Sequence, residues 1–214
     1  MSVAVQTACG VAAGVASILA GAAVAQTAPG HFSAYGRTMS RLEASQGLGR
    51  CVARREPKVA SAFVVAAGGS DADKAAGTKL ISQLENCMKA VGGSATLRAS
   101  DLKGVMAEAL LKEQAGSLDK VRMSTPVPAQ RLVGLDKDAK QRLFDCAVRA
   151  QPSDAAKMLD QKPESPEEAA QFRAIMPALQ ACMPAEGGLT FKPFEIRLLV
   201  AVATYRVANQ LVGA

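Results

Sequence analysis

The sequence contains no Trp, only two Tyr and six Phe, and a single histidine, His31. Runs of β-branched and aromatic residues, the mark of strands, hardly occur. With one histidine, in a segment containing Pro29, Gly30 and Gly36, a Ser–His or Cys–His nucleophile has little to be built from. No Cys-x-x-Cys occurs, and His31 lies far from the later cysteines, so a structural zinc site fails on spacing. Gly-x-Ser-x-Gly, P-loop, His-Glu-x-x-His and dinucleotide-binding glycine patterns are also missing. No cofactor and no metal is therefore expected. Charge is absent from the start of the chain, where the first charged side chain is Arg37.

What is abundant is alanine, the residue of highest helix propensity and little bulk. The expected fold class is all-α, with closely approaching helices. The net charge of +6 is spread among acids, and the one tight basic cluster is Arg50, Arg54, Arg55 and Lys58. Nucleic acid is not expected as a partner, because neither a dense basic stripe nor stacking aromatics accompany it. A protein or acidic-polymer partner remains open.

Residues 1–25 are apolar and end Ala23-Val24-Ala25 before Gln26, a small-x-small pattern that predicts a signal peptide cleaved after Ala25. An uncleaved membrane anchor is the rival, weakened by the Ala/Gly content and by the absence of flanking positive charge. The expected location is periplasmic or secreted, with no transmembrane anchor after cleavage. Cleavage removes Cys9 and leaves four cysteines, which in an oxidising compartment form disulfides.

Those four lie in two pairs of equal spacing, 36 positions apart, and the surrounding sequence repeats at an offset of 95. Arg54 falls on Arg149, Pro57 on Pro152, Ala60 on Ala155, Ser70 on Ser165 and Leu84 on Leu179. After Gly187-Gly188 the offset becomes 94, so that Asp101 falls on Glu195 and Lys103 on Arg197. A module that was copied needed its bridge within itself, which selects Cys51–Cys87 and Cys146–Cys182. Each such closure stabilises by roughly 3–4 kcal/mol on chain-entropy grounds.

The predicted organisation is two tandem copies of a disulfide-stapled module of about four helices each: 26–115, a linker over 116–135, and 136–214. Residues 26–35 read as a flexible mature N-terminus. In the first copy a helix is expected over 38–55, bent near Gly47 and Gly49. A second runs from Pro57 to about Ala67, and a third is capped by Ser70 or Asp71 and stopped by Gly92-Gly93. The fourth has Ser100 as its cap. In the second copy Asp136 or Asp138 opens the first helix, Pro152 the second and Ser165-Pro166 the third, which Pro177 should kink. The last helix runs to about Val212. The apolar linker residues Val127, Leu132, Val133 and Leu135 predict a docked connection.

No catalytic residue is assigned. Paired acids such as Asp71/Asp73 and Glu167/Glu168 fall in helix first turns, where the dipole accounts for them. One constellation, Cys-x-x-Arg-x-x-Pro, occurs in both copies and makes Arg54 and Arg149 candidate anion-binding residues beside a helix N-terminus. The competing role is capping of the preceding helix. An apolar set, including Phe63, Leu84, Met88, Met158, Met176 and Met183, either forms core or lines a lipid cavity. The functional expectation is an exported, non-enzymatic helical protein that binds another macromolecule. A carrier of small hydrophobic ligands is the alternative, and an enzyme with an acid or Arg-lined site a further one.

Overall fold

A computed structural model describes residues 32–34, 37–39, 41–91, 98–134, 136, 138–185 and 188–210. Residues 1–31, with Cys9 and His31, and Gly92-Gly93, Leu135, Gly187 and Val212 lie outside the described residues. Helices α1 (Arg41–Arg55), α2 (Pro57–Val65), α3 (Asp71–Val91) and α4 (Ala99–Glu113) precede a short α5 (Ser117–Arg122). Then follow α6 (Ala139–Ala150), α7 (Pro152–Asp160), α8 (Pro166–Cys182) and α9 (Pro193–Ala208). Among the described residues the fold is helical apart from one small antiparallel hairpin, β1 (Phe32–Ala34) with β2 (Arg37–Met39), in which Ser33 is paired with Thr38.

Several starts and stops follow directly from local chemistry. Pro57, Pro152, Pro166 and Pro193 each sit in a helix first turn, where the missing N–H has no intrahelical acceptor to lose. Ser165 caps α8 by accepting from the Glu168 N–H at 3.2 Å, and Ser70 accepts from the Asp73 N–H at 3.1 Å. Each acid answers by accepting from a backbone N–H ahead of the cap, Asp73 from Gly69 at 2.8 Å and Glu168 from Glu164 at 2.5 Å. Both of those preceding residues have left-handed backbone, with φ of 75° at Gly69 and 63° at Glu164.

Several expectations are corrected. The first helix starts at Arg41, because residues 37–39 pair in the hairpin; that hairpin also replaces part of the expected flexible N-terminus. Gly47 and Gly49 do not interrupt α1; Gly49 is there because a Cβ would meet the Val105 carbonyl oxygen at 2.5 Å. The cap of α4 is Arg98, with Ser100 already helical, and the expected linker contains α5 before its extended part. Apart from these corrections, α8 continues past Pro177, which lies on its exposed side, to Cys182.

Cys51–Cys87 and Cys146–Cys182 are the disulfides, tying α1 to α3 and α6 to α8. The helix pairings also run in parallel. Helix α1 packs on α2, α3 and α4, as α6 packs on α7, α8 and α9; α2 packs on α3 and α4, as α7 packs on α8 and α9. The two halves meet through α4 against α9. That contact is close because Gly104 has no side chain: a Cβ there would stand 2.3 Å from the Leu198 Cβ. Residues 104 and 198 are themselves 94 apart, so equivalent positions touch at the centre.

One continuous apolar cluster runs through both halves, from Leu48, Phe63 and Leu80 to Phe144, Ile175 and Tyr205. Phe63, Met158 and Leu159 are buried in it, and Leu84, Met88, Met176 and Met183 pack partly buried against it. The extended residues after α5 strap the second half: the Val127 N–H donates to the Arg149 carbonyl at 2.9 Å and the Leu132 N–H to the Cys182 carbonyl at 2.9 Å.

Candidate functional site

Two charged assemblies flank the α4–α9 contact, and sequence reasoning named neither. The first is sealed. Arg197 on α9 is 1% exposed, the largest fully buried side chain among the described residues. Its guanidinium donates to both oxygens of Glu108 on α4, at 3.0 and 2.7 Å, and to Glu168 at the start of α8, at 2.6 Å. It also donates to carbonyls at the end of α7, those of Leu159 at 3.0 Å and Gln161 at 3.2 Å. A planar five-donor cation suits this arrangement, since it meets two carboxylates and a helix C-terminus together. Glu108 receives two further donors, Lys112 at 2.6 Å and Gln46 at 3.0 Å.

Burial alone would push the Glu108 carboxyl up, but the hydrogen bonds and charge of Arg197, with Lys112, outweigh it and hold it below the usual range. Burial likewise disfavours the Arg197 cation, and Glu108 and Glu168 more than reverse that, leaving its pKa raised. Glu108 and Arg197 are therefore both ionised at neutral pH.

The second assembly is built on Lys103, the residue of α4 equivalent to Arg197. Its ammonium donates to the Ala66 carbonyl, the C-cap of α2, at 2.6 Å, and pairs with Asp73 at 2.8 Å. It also lies 5.1 Å from the Phe63 ring centroid. Asp73 is equivalent to Glu168, and Ala66 to Gln161, so the two halves use one device. A buried cation on the fourth helix fastens the capping acid of the third helix to the C-terminus of the second. Burial pushes the Asp73 carboxyl up, but Lys103 and the Gly69 N–H together carry it below its ordinary value.

Here the assembly opens on a cleft of about 540 Å³ between the halves. Its walls come from the α2–α3 turn, the first turns of α4 and α6, and α9. The floor is apolar, with Leu198, Leu199 and Val202. The rim carries both signs: Lys140 donates to Glu195 at 2.8 Å, and Arg142 pairs with Asp136 at 3.1 Å. Arg206 donates to Asp145 at 2.6 Å, and Gln141 donates to the same carboxylate at 2.9 Å. Burial raises the Asp145 pKa, and Arg206, Gln141 and Arg149 oppose this without cancelling it. The volume suits a small molecule and not a single ion.

The structure does not bring Arg54 and Arg149 together with this cleft. Arg54 lies in the last turn of α1, exposed, donating to Glu113 at 2.9 Å, which raises its pKa. Arg149 lies half-buried in the last turn of α6, beside the strap, and neither lines the cleft. No group of three or more His, Cys, Asp or Glu side chains is arranged to hold a metal ion among the described residues. Among them, too, no helix is long and apolar enough to cross a membrane. The two disulfides point to an oxidising, exported location.

A signal for both assemblies did exist in the sequence. Lys103, Glu108 and Arg197 are charges set into otherwise apolar helix surfaces, and two of them, Lys103 and Arg197, lie 94 positions apart. Comparison with protein-family models, curated proteins and solved structures finds no match.

Proposed function

We propose that this chain is an exported, non-enzymatic binding protein made of a duplicated helical module, and that the cleft between its halves holds a small amphiphilic ligand. The observation that carries this reading is the cleft itself, with its apolar floor on α9 and a rim of both charge signs. Duplication is supported by the shared helix pairings, the matching disulfides and the repeated cap with its left-handed residue. Catalysis is disfavoured because Asp73 and Glu195 are engaged by Lys103 and Lys140, which leaves neither poised for proton transfer.

Native mass spectrometry of the oxidised protein, purified from its own source, tests the reading. The expected result is a chain beginning at Gln26 with a bound small molecule, and loss of that molecule in Leu199→Trp, which fills the cleft. A ligand retained by the folded Leu199→Trp protein overturns the cleft assignment. A second reading, docking of a macromolecule, is favoured by Met123 and Val133, which are 77% and 90% exposed near the strap. In that case a protein partner co-purifies and is lost on Val133→Glu, with the cleft empty.

A further inference from the structure

The cleft has a mate across the α4–α9 contact, and the difference between them that matters is Val202 in place of Glu108. On the sealed side the Glu108 carboxylate is held by Arg197, Lys112 and Gln46, and the space left beside it is only about 40 Å³. At offsets of 94 and 95, the counterparts of these three donors are Lys103, Arg206 and Gln141. All three line the open cleft. The counterpart of Glu108 is Val202, which lines it too and has no polar atom. The donors that share one carboxylate on the sealed side thus recur on the other side along a cleft, where Lys103 pairs with Asp73 and Arg206 and Gln141 donate to Asp145.

Resting on the reading of the cleft as a ligand site, we propose that it takes a small apolar carboxylic acid. The ligand's carboxylate stands at Lys103, Gln141 and Arg206 as that of Glu108 stands at Arg197, Gln46 and Lys112. Its apolar body lies on Leu198, Leu199 and Val202. Lys103 supports this directly. An ammonium has three donors: one reaches the Ala66 carbonyl at 2.6 Å, Asp73 lies at ion-pair distance, 2.8 Å, and beyond these the Nζ meets only the Phe63 ring, 5.1 Å from its centroid, among the described residues. The side chain is only 11% exposed, so water access to that donor is restricted.

Arg206 meets Asp145 through one nitrogen, Nη1, leaving its other donors available. Gln141 donates to Asp145 at 2.9 Å and weakly to the Leu199 carbonyl at 3.5 Å, so it turns to share the ligand. Asp145 replaces Arg50 of the other half and already answers Arg206, while Asp73 answers Lys103. Recognition of the acid therefore rests on directed, charge-assisted hydrogen bonds and not on a net positive field. Those bonds favour a carboxylate over an alcohol of the same chain.

Titration calorimetry of the oxidised, full-length protein with decanoate and with 1-decanol, both below their micelle or solubility limits, decides the matter. Decanoate is expected to bind at least about tenfold more tightly than decanol. Val202→Glu supplies the internal carboxylate, and is expected to abolish decanoate binding while the protein stays folded. Arg206→Gln is expected to erase the preference by weakening decanoate, which covers the case in which Val202→Glu fails to fold. Equal affinity of the wild type for the two probes, or a preference that survives in Arg206→Gln, overturns the carboxylate assignment and leaves the cleft reading standing. Binding of neither probe to the wild type overturns both.

Discussion

Replacing Glu108 by Gln keeps the shape of the side chain and removes its charge, so it isolates what the sealed assembly contributes. In the wild type the Arg197 and Glu108 side chains are 1% and 3% exposed and joined by two hydrogen bonds. After the change the buried guanidinium keeps Glu168 at 2.6 Å and its backbone acceptors, but loses the carboxylate that meets it twice. Breaking a buried ion pair costs about 3–5 kcal/mol, most of it from the charge left behind. Because Glu168 remains, the lower end applies, about 3 kcal/mol. Lys112, 38% exposed, adds no more than about 1 kcal/mol.

With a urea slope of about 2–3 kcal/mol/M for a chain of this size, the midpoint should fall by about 1 M. The assay is urea unfolding at pH 7 with disulfides intact, followed by far-ultraviolet circular dichroism. Glu108→Met with Arg197→Met should be more stable than Glu108→Met alone, since the fully buried guanidinium goes with its carboxylate and only the more exposed Glu168 and Lys112 lose a partner. A midpoint for Glu108→Gln within about 0.2 M of the wild type, at unchanged slope, would refute the reasoning.

Three further outcomes are expected. Gly104→Ala forces α4 and α9 apart, because its Cβ would stand 2.3 Å from Leu198; the cost is about 1–3 kcal/mol, read as a lower Tm, and Leu198→Ala in the same chain should restore part of it. Converting Cys51 and Cys87 to Ser should remove about 3–4 kcal/mol, and non-reducing peptide mapping should recover only the Cys51–Cys87 and Cys146–Cys182 links; any cross-half pairing contradicts the fold. On acidification, Glu108 and Asp73, both held below their ordinary range, contribute stability that is complete above that range and lost as pH falls through their depressed values. Asp145, raised by burial, acts in the opposite sense, its protonation relieving a cost present at neutral pH. The wild type should therefore lose stability more steeply than Glu108→Gln below about pH 4.

Much of the architecture was legible because it depends on local chemistry. Pro57, Pro152 and Pro166 mark helix starts by lacking a donor, Ser165 caps by reaching the Glu168 N–H, and equal cysteine spacing selects the disulfides. What escaped depends on contacts between distant residues. Gly49 looked like a bend because its close approach to Val105 is set by packing, not by neighbours in sequence. The hairpin at residues 32–39 has no alternating pattern to announce it. The site escaped for the same reason. Arg54 and Arg149 stood out by repetition, whereas the informative position is Val202, where the repeat is broken. A difference between halves is visible only once the donors around Glu108 are known.

On the reading proposed above, the open side of the α4–α9 contact is a ligand site completed by a carboxylate from outside. A crystal structure of the oxidised protein grown with decanoate tests it most directly. The account predicts a carboxylate within hydrogen-bond distance of the Lys103 Nζ, the Gln141 Nε2 and an Arg206 nitrogen, with the alkyl chain along Leu198 and Leu199. Decanoate seated elsewhere, or its alkyl end turned toward Lys103 with the carboxylate in solvent, would contradict it.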